Sequence, residues 1–301
     1  MLLLAAGLAM VLWRPCRWGQ GRAPRSAIAS LLAAAGAIWT GSLGVVVGVV
    51  SGEFGGTLAA CGVLWRQMLT GQLAWWEYAL VGAWIVALPG RGLRPLVAGG
   101  LRSRQLLGKL KAAGVTPSAD TGSAARTFVA PGLSTTAITL GVLRPAILVD
   151  AAFWCAATEI QRQVVLAHED GHRRGHHVVV DGAARALTAG LRPLPTAGWA
   201  YDCVRRHLEA LADDAAARRY DRRTVGIELG RIALTAYPPA GLGASGAALW
   251  RVQRLLAPAK SPPQAALLAS VTALLATGLT IVLADTVQAL GRVANAQFCP
   301  V

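Results

Sequence analysis

The chain has 301 residues, of which 54% are hydrophobic and 15% are charged, against about a quarter of charged residues in a typical soluble domain. This composition argues against an entirely soluble protein and makes the lipid bilayer a predicted partner. The net charge of +14 does not indicate a nucleic-acid partner, because the sequence contains no base-reading module and an anionic membrane surface accounts for an excess of basic residues. Direct nucleic-acid binding is therefore excluded from the predicted functions.

Four apolar stretches predict membrane helices. The stretches 26–52 and 265–284 carry no charged residue, and the stretch 73–90 carries one Glu near its start. Each is about long enough to cross the ~30 Å hydrocarbon core of a bilayer as a helix. The N-terminal stretch 1–13 is shorter and is predicted to be a short first span.

The distribution of Lys and Arg predicts which parts face the cytoplasm. Of the 29 basic residues, 23 lie between 91 and 262, and basic residues near span ends are retained on the cytoplasmic side. The sequence thus predicts a multi-pass protein of the cell membrane with about four spans. Its predicted parts are three membrane helices in 1–90, a cytoplasmic domain in 91–262, and a last span with a short outer tail in 263–301.

The segment 91–262 is the part of the chain with ordinary soluble composition. At about 170 residues it is long enough for one hydrophobic core. Its β-branched runs in 126–150 are separated by Pro-Gly, Gly and Arg-Pro, which predicts two or three short strands. We therefore expect an α+β fold, a mostly helical domain that carries a small β-sheet.

Two helices are predicted after the strands. Thr158 and Gln161 have the spacing of a capping box in front of apolar residues at helical period, which predicts a helix. After a Pro-containing break, the segment 198–220 predicts another long helix. The Pro- and Gly-rich segment 237–263 is predicted to be a linker.

The first of these helices carries the motif H-E-x-x-H, formed by His168, Glu169 and His172. Residues four apart lie about 40° apart around a helix, so the two imidazoles project side by side and can bind one Zn²⁺. Glu169 lies about 60° from His172, where it can take a proton from a water molecule that the metal acidifies. The sequence therefore predicts a zinc site with two His ligands and Glu169 as catalytic base. The alternative is a solvated polar helix face.

A catalytic zinc requires a third protein ligand and an open fourth position. The second predicted helix offers Glu209, with Asp213 four residues further on the same face. We expect Glu209 to bind the metal and Asp213 to accept the N–H of a ligand histidine, which fixes the tautomer of that histidine. Two alternatives stay open: both acids pair with arginines on an exposed face, or Asp214 takes the place of one of them.

Other polar side chains are weaker candidates for the site. His176 shares the face of His172 and is either a fourth ligand, which would close the site, or a surface residue. His207 is a candidate hydrogen-bond donor to the oxyanion of a tetrahedral intermediate, with Tyr201 and Tyr220 as alternatives for that role. Ordinary surface placement is the default expectation for all of them.

Four sequence elements together resemble one family of metallopeptidases. They are "LAHEDGH", the "GHH" that follows it, "EALADDAAA" on the next long helix and the upstream "GVLRPAILV". The combination resembles the membrane-embedded zinc metallopeptidases of the beta-lactam-sensing antirepressor (BlaR/MecR-type) family, which are gluzincins. The resemblance covers the predicted spans and most of 91–262, and it implies the same ligands, base and orienting carboxylate. It also implies that an edge strand within Ser134–Gly141 holds the substrate backbone by β-augmentation.

The predicted function is that of a membrane-bound zinc metalloendopeptidase that cleaves a cytoplasmic or membrane protein, with a transcriptional repressor as a candidate substrate. The alternative is a non-proteolytic membrane signalling or scaffold protein with a structural zinc site. A transporter is disfavoured, because the longer apolar stretches carry no charged residue near their centres. Water in the fourth zinc position favours catalysis, whereas His176 in that position favours a structural site.

Overall fold

The structure of the chain is a computed structural model. It describes residues 24–51, 57–83, 86, 88–117, 126–142, 145–191, 196–236 and 242–257. The strands in these ranges are β1 (Arg126–Ala130), β2 (Ala137–Leu140) and β3 (Ala146–Asp150). The helices are α1 (Pro24–Ser51), α2 (Thr57–Leu69), α3 (Trp75–Gly82), α4 (Leu88–Ala112), α5 (Ala151–Ala156), α6 (Glu159–Arg174), α7 (His177–Gly190), α8 (Thr196–Tyr220), α9 (Arg222–Ala236) and α10 (Leu242–Leu256). The described chain is therefore mostly helical with one small sheet.

The sheet has the strand order β1-β3-β2, with β1 parallel and β2 antiparallel to the central strand. Ile147 and Val149 of β3 pack against Leu166 of α6. On the opposite face, Leu148 of β3 packs against Phe128 of β1. β3 is thus buried on both faces, which fits its unbroken apolar sequence. Among the described residues β2 pairs with β3 alone, so it is an edge strand.

The metal-motif helix α6 has a well-defined start and end. The Thr158 side chain accepts a hydrogen bond from the Gln161 backbone N–H at 3.4 Å, and the Gln161 side chain accepts one from the Thr158 N–H at 3.0 Å. These two bonds confirm the capping box predicted from the sequence. The helix ends at Arg174 with Gly175 as its C-cap.

The helices α6 and α8 cross at very short distance next to the H-E-x-x-H motif. A Cβ atom on Gly171 would lie 2.8 Å from the Cβ of Ala215 and 3.1 Å from the Cα of Ala212. Glycine inside a helix lowers helix stability by about 1 kcal/mol relative to Ala. At this position, however, the absence of a side chain allows the two helices to approach each other. The small residues on both helices therefore set the distance between α6 and α8.

The helix α10 (Leu242–Leu256) lies within the segment 237–263, which the sequence predicted to be a linker. Arg254 of α10 forms an ion pair with Asp214 of α8, and its neighbour Leu255 is buried against Val225 of α9. The prediction of a linker is therefore wrong in this part of the chain. The apolar residues and arginines of α10 are those of a docked helix.

The structure contradicts the predicted polytopic membrane architecture. None of the helices in the described ranges combines the length and the apolarity required to cross a bilayer. The predicted spans 1–13 and 265–284 lie outside the described residues. Over the predicted span 73–90, the helix α3 has eight residues, against about 20 for a bilayer-spanning helix.

The predicted span 26–52 coincides with α1, whose apolar residues have a place in the protein core. Ile28 and Leu31 pack in one cluster with Ala184 of α7 and Val204 of α8. High hydropathy shows that a segment tends to leave water, and burial in a protein interior meets this tendency as well as a bilayer does. The apolar sequence of α1 therefore did not distinguish a membrane span from a core helix. The predicted cytoplasmic orientation was derived from the spans and loses its basis with them.

We expect Gly171→Ala to destabilise the fold although Ala is the better helix former. The added methyl group overpacks the contact between α6 and α8, at a cost of about 1–3 kcal/mol. The matched control is Gly108→Ala in α4, where an added Cβ meets nothing within 4 Å and stability rises by up to about 1 kcal/mol. Urea unfolding of both variants measures the difference, and a stabilised Gly171→Ala protein would contradict the close crossing.

Candidate metal centre

The crossing of α6 and α8 brings two imidazoles and one carboxylate together. His168 Nε2 lies 3.1 Å from His172 Nε2 and 3.3 Å from Glu209 Oε2. His172 Nε2 lies 3.6 Å from the other carboxylate oxygen, Glu209 Oε1. One ligand atom from each of the three residues lies within 4.8 Å of the others. The three residues that the sequence predicted as ligands therefore converge on one point.

The donor set fits a zinc ion in both geometry and chemistry. Zinc bonds of about 2.0–2.2 Å in a tetrahedron correspond to ligand separations of roughly 3.3–3.6 Å. Two of the separations, 3.1 Å between the two Nε2 atoms and 3.3 Å from His168 Nε2 to Glu209 Oε2, are close to that range, and one ligand atom from each residue lies within 4.8 Å of the others. Two imidazoles and one carboxylate are also the ligands of a common class of catalytic zinc sites.

Each ligand imidazole has a partner at its second ring nitrogen. His168 Nδ1 lies 3.0 Å from Asp213 Oδ1, and the Asp213 side chain has no exposed surface. His172 Nδ1 lies 3.0 Å from His177 Nδ1. A partner at Nδ1 orients the ring and directs Nε2 towards the metal position. Asp213 thus stands where the sequence predicted it, whereas the partnership of His177 was not predicted.

The position of His177 depends on the glycine that separates the two helices. A Cβ atom on Gly175 would lie 2.3 Å from His177 Nε2. His176 next to it is exposed and adopts a left-handed backbone conformation with φ of 51°. The sequence "GHH" was the available signal for this arrangement, but which of the two histidines turns inward depends on the tight turn between α6 and α7.

Glu169 lies beside the ligands and is held by the edge strand of the sheet. The hydroxyl of Thr139 in β2 donates a hydrogen bond to Glu169 Oε2 at 2.6 Å. Burial raises the pKa of the Glu169 carboxyl above its ordinary value, because the charged form is less well solvated inside the protein. A raised pKa suits a carboxylate that must both accept and release a proton near neutral pH.

Arg251 of α10 is a member of the site that the sequence analysis missed. Its Nη1 lies 3.1 Å from Glu209 Oε2, and its Nε donates to Asp213 Oδ2 at 2.9 Å. The second nitrogen of the fork, Nη2, pairs with Asp213 Oδ1. The only signal in the sequence was a short basic segment between Pro- and Gly-rich stretches, and its distance from the motif gave no reason to connect the two.

The charges of the site determine which groups hold protons. Burial and Arg251 lower the pKa of His168, but hydrogen bonds to Asp213 and Glu209 outweigh them and raise it to about 9. Burial and the neighbouring His168 lower the pKa of His172 to about 3. Burial alone would raise the pKa of Glu209, but His168 and Arg251 hold it well below its ordinary value. At neutral pH the metal-free site thus carries an ionised Glu209 and a proton on His168.

The other candidate residues lie in surroundings different from those of the metal ligands. His207 is buried, with its ring 6.4 Å from that of Trp250, and neither ring nitrogen has a hydrogen-bond partner among the described residues. Tyr201 donates to Asp181 at 3.0 Å. Asp214 pairs with arginines of α9 and α10, so it does not replace Glu209 or Asp213. Tyr201 pairs with Asp181 and His207 packs against Trp250, so neither residue gains support as an oxyanion donor.

Comparison of the chain with protein-family models, with curated proteins and with solved structures finds no match. The resemblance to the antirepressor metallopeptidases therefore stays a prediction. The geometry and chemistry of the described residues carry the functional inference.

We expect His177→Phe to weaken zinc binding about 10- to 100-fold, the usual effect of losing a partner of a ligand histidine. The substitution keeps an aromatic ring in the buried position but removes the nitrogen that faces His172. The matched control is His176→Asn, a change at an exposed neighbour that tolerates the left-handed backbone, and zinc affinity should stay within about twofold. Competition with a chelator measures both constants, and equal affinities would contradict the role of His177.

Zinc affinity should also rise with pH up to about 9, where the proton on His168 is lost. Because zinc binds the deprotonated imidazole, the apparent affinity should increase by about tenfold per pH unit below that pKa and level off above it. His172 titrates near pH 3 and adds nothing in this window. Chelator competition between pH 6.5 and about 9.5 provides the test, and a plateau that begins near pH 7 would contradict a raised pKa of His168.

Proposed function

We propose that the chain is a zinc-dependent metallopeptidase. The observation that carries this proposal is the convergence of His168, His172 and Glu209 on one point, with Glu169 beside them. Two imidazoles and a carboxylate bind zinc and leave one coordination position open, and the neighbouring carboxylate is suitable as a base. No other group of side chains in the described ranges offers this combination.

The side chains around the site are suited to peptide hydrolysis. A zinc ion held there supplies a Lewis acid for the peptide carbonyl and lowers the pKa of water. Glu169 takes a proton from the water molecule whose oxygen attacks the carbonyl carbon. When the C–N bond breaks, Glu169 gives this proton to the leaving amine. The Thr139 hydroxyl keeps the carboxylate of Glu169 oriented through both transfers.

The substrate class that fits the site is an extended polypeptide. The strand β2 pairs with β3 along one side, and the described chain has no strand on its other side. A peptide that adds to this edge by β-augmentation would run next to Thr139 and therefore next to Glu169. The edge strand lies within Ser134–Gly141, the segment that the family resemblance implies for this role. A transcriptional repressor remains a candidate substrate on the same resemblance.

The open coordination position favours catalysis over a structural zinc in a signalling or scaffold protein. Within the described residues the group of candidate ligands has three members. His176, which the sequence left as either a fourth ligand or a surface residue, is exposed. His177 contacts Nδ1 of His172, which is the ring nitrogen away from the metal position. Both histidines therefore leave the fourth position to water or substrate.

We expect Glu169→Gln to retain zinc and to lose peptidase activity by about 10²- to 10⁴-fold, because the amide cannot accept the proton of the attacking water. The matched control is Glu159→Gln on the same helix, where the side chain is exposed and the loss of charge should leave activity unchanged. Hydrolysis of labelled casein by the zinc-loaded proteins gives the rates.

Two results would count against the proposal. Cleavage by Glu169→Gln at the rate of the parent would exclude this residue as the base. A parent protein that binds zinc tightly but cleaves neither casein nor a mixed peptide library would support the structural-zinc alternative instead.

A further inference from the structure

We propose that Arg251 is a positioning residue of the metal centre, which holds Glu209 and Asp213 in place and stays in contact with them when the metal is bound. The inference rests on the zinc site of the proposed function and is independent of peptidase activity.

The guanidinium of Arg251 connects two carboxylates that lie one helical turn apart on α8. Its Nε and Nη2 engage the two oxygens of Asp213 as a fork, and its Nη1 reaches Glu209 Oε2 at 3.1 Å. Bidentate contacts between arginine and carboxylate fix both distance and orientation. Arg251 thus restrains the rotamer of a metal ligand and that of the residue that orients another ligand.

The fork on Asp213 allows the metal to bind without displacing Arg251. Asp213 faces His168 Nδ1. Arg251 Nη2, which pairs with Asp213, lies 3.3 Å from His168 Nδ1 and 3.5 Å from His168 Nε2, so the fork lies nearer to Nδ1 than to the nitrogen that faces the metal position. Glu209 has a second oxygen, Oε1, which lies 3.6 Å from His172 Nε2 and is available to the metal. The two contacts with Asp213 and the metal bonds can therefore exist together.

The balance of charges gives a second reason for Arg251 to remain. When Glu169 is ionised, as it must be to act as a base, Glu169, Glu209 and Asp213 bring three negative charges, and a zinc ion brings two positive charges. Without Arg251 the centre would keep one uncompensated negative charge next to buried groups, which is strongly unfavourable in a protein interior. With Arg251 the centre is neutral, so the arginine and the metal complement each other.

The helix α10 supplies a matched control, because a second arginine attaches it to α8 in the same way. Arg254 pairs with Asp214 and donates to the backbone oxygen of Ala210. It lies one turn from Arg251 and connects the same two helices, but Asp214 contacts no metal ligand. Loss of Arg254 should loosen the docking of α10 and leave the ligands in place.

The experiment compares Arg251→Met, Arg251→Lys and Arg254→Met in the full chain. We expect Arg251→Met to weaken zinc binding at least tenfold, in the range known for residues that orient metal ligands. Arg251→Lys should restore part of this loss, because it returns the charge but not the fork. Arg254→Met should lower the melting temperature about as much as Arg251→Met does. It should change zinc affinity less than about twofold, because Arg254 contacts α8 through Asp214 and the backbone of Ala210.

The absorption spectrum of the cobalt-substituted proteins gives a readout of ligand geometry that a loss of stability alone would not change. It should differ from the parent spectrum in Arg251→Met and match it in Arg254→Met. If Arg251→Met fails to fold, the comparison of Arg251→Lys with the parent decides, because a merely structural cation would retain full zinc affinity as lysine.

Equal zinc affinity and equal cobalt spectra in the parent and both Arg251 variants would overturn the role of Arg251 alone. A parent protein that binds no zinc would overturn the metal centre and this inference together, so the two failures are distinguishable.

Discussion

The close approach of α6 and α8 at Gly171 is the constraint on which the metal centre depends. The two imidazoles are neighbours on α6 because of local helical geometry, but Glu209 reaches them only when the second helix lies almost in backbone contact. Gly171, Ala212 and Ala215 provide that contact. The glycine inside α6 costs helix propensity, but it lets Glu209, the candidate third ligand on α8, reach the two imidazoles. The short helix–helix distance is thus a requirement of the site as well as of packing.

The centre is assembled from five elements, α6, α7, α8, α10 and β2, each of which restrains a different part of it. The helices α6 and α8 carry the three candidate ligands. Thr139 of β2 contacts Glu169, and Arg251 of α10 supplies the compensating positive charge. Asp213 and His177 fix the two imidazoles from behind, and neither of them takes a coordination position. Polar groups that are buried together must satisfy one another, and here they do so in a way that keeps the ligand atoms facing one point.

Sequence could predict the parts of the site that depend on local helical geometry. The spacing of His168 and His172, and that of Glu209 and Asp213, places each pair on one helix face whatever the rest of the chain does. Thr139, His177 and Arg251 were missed because their positions depend on tertiary packing between elements distant in sequence. The membrane architecture was wrong for a related reason: the apolar residues of α1 are buried against α7 and α8, and hydropathy does not specify what surrounds a buried helix. The Pro- and Gly-rich flanks of α10 predict a linker, because composition does not show that the short basic segment between them can dock as a helix.

In the proposed function, the edge strand β2 couples substrate binding to the orientation of the base. Its backbone is hydrogen-bonded to β3 on one side only, while the side chain of Thr139 within the same strand contacts Glu169. A peptide bound along the free edge would therefore stabilise the strand that holds the catalytic carboxylate. Because β3 in turn packs against α6 through Leu166, the sheet and the metal helix form one continuous unit. A shift of β2 would change the position of the substrate and that of the proton acceptor together, which makes this short strand as important for the proposed chemistry as the ligands themselves.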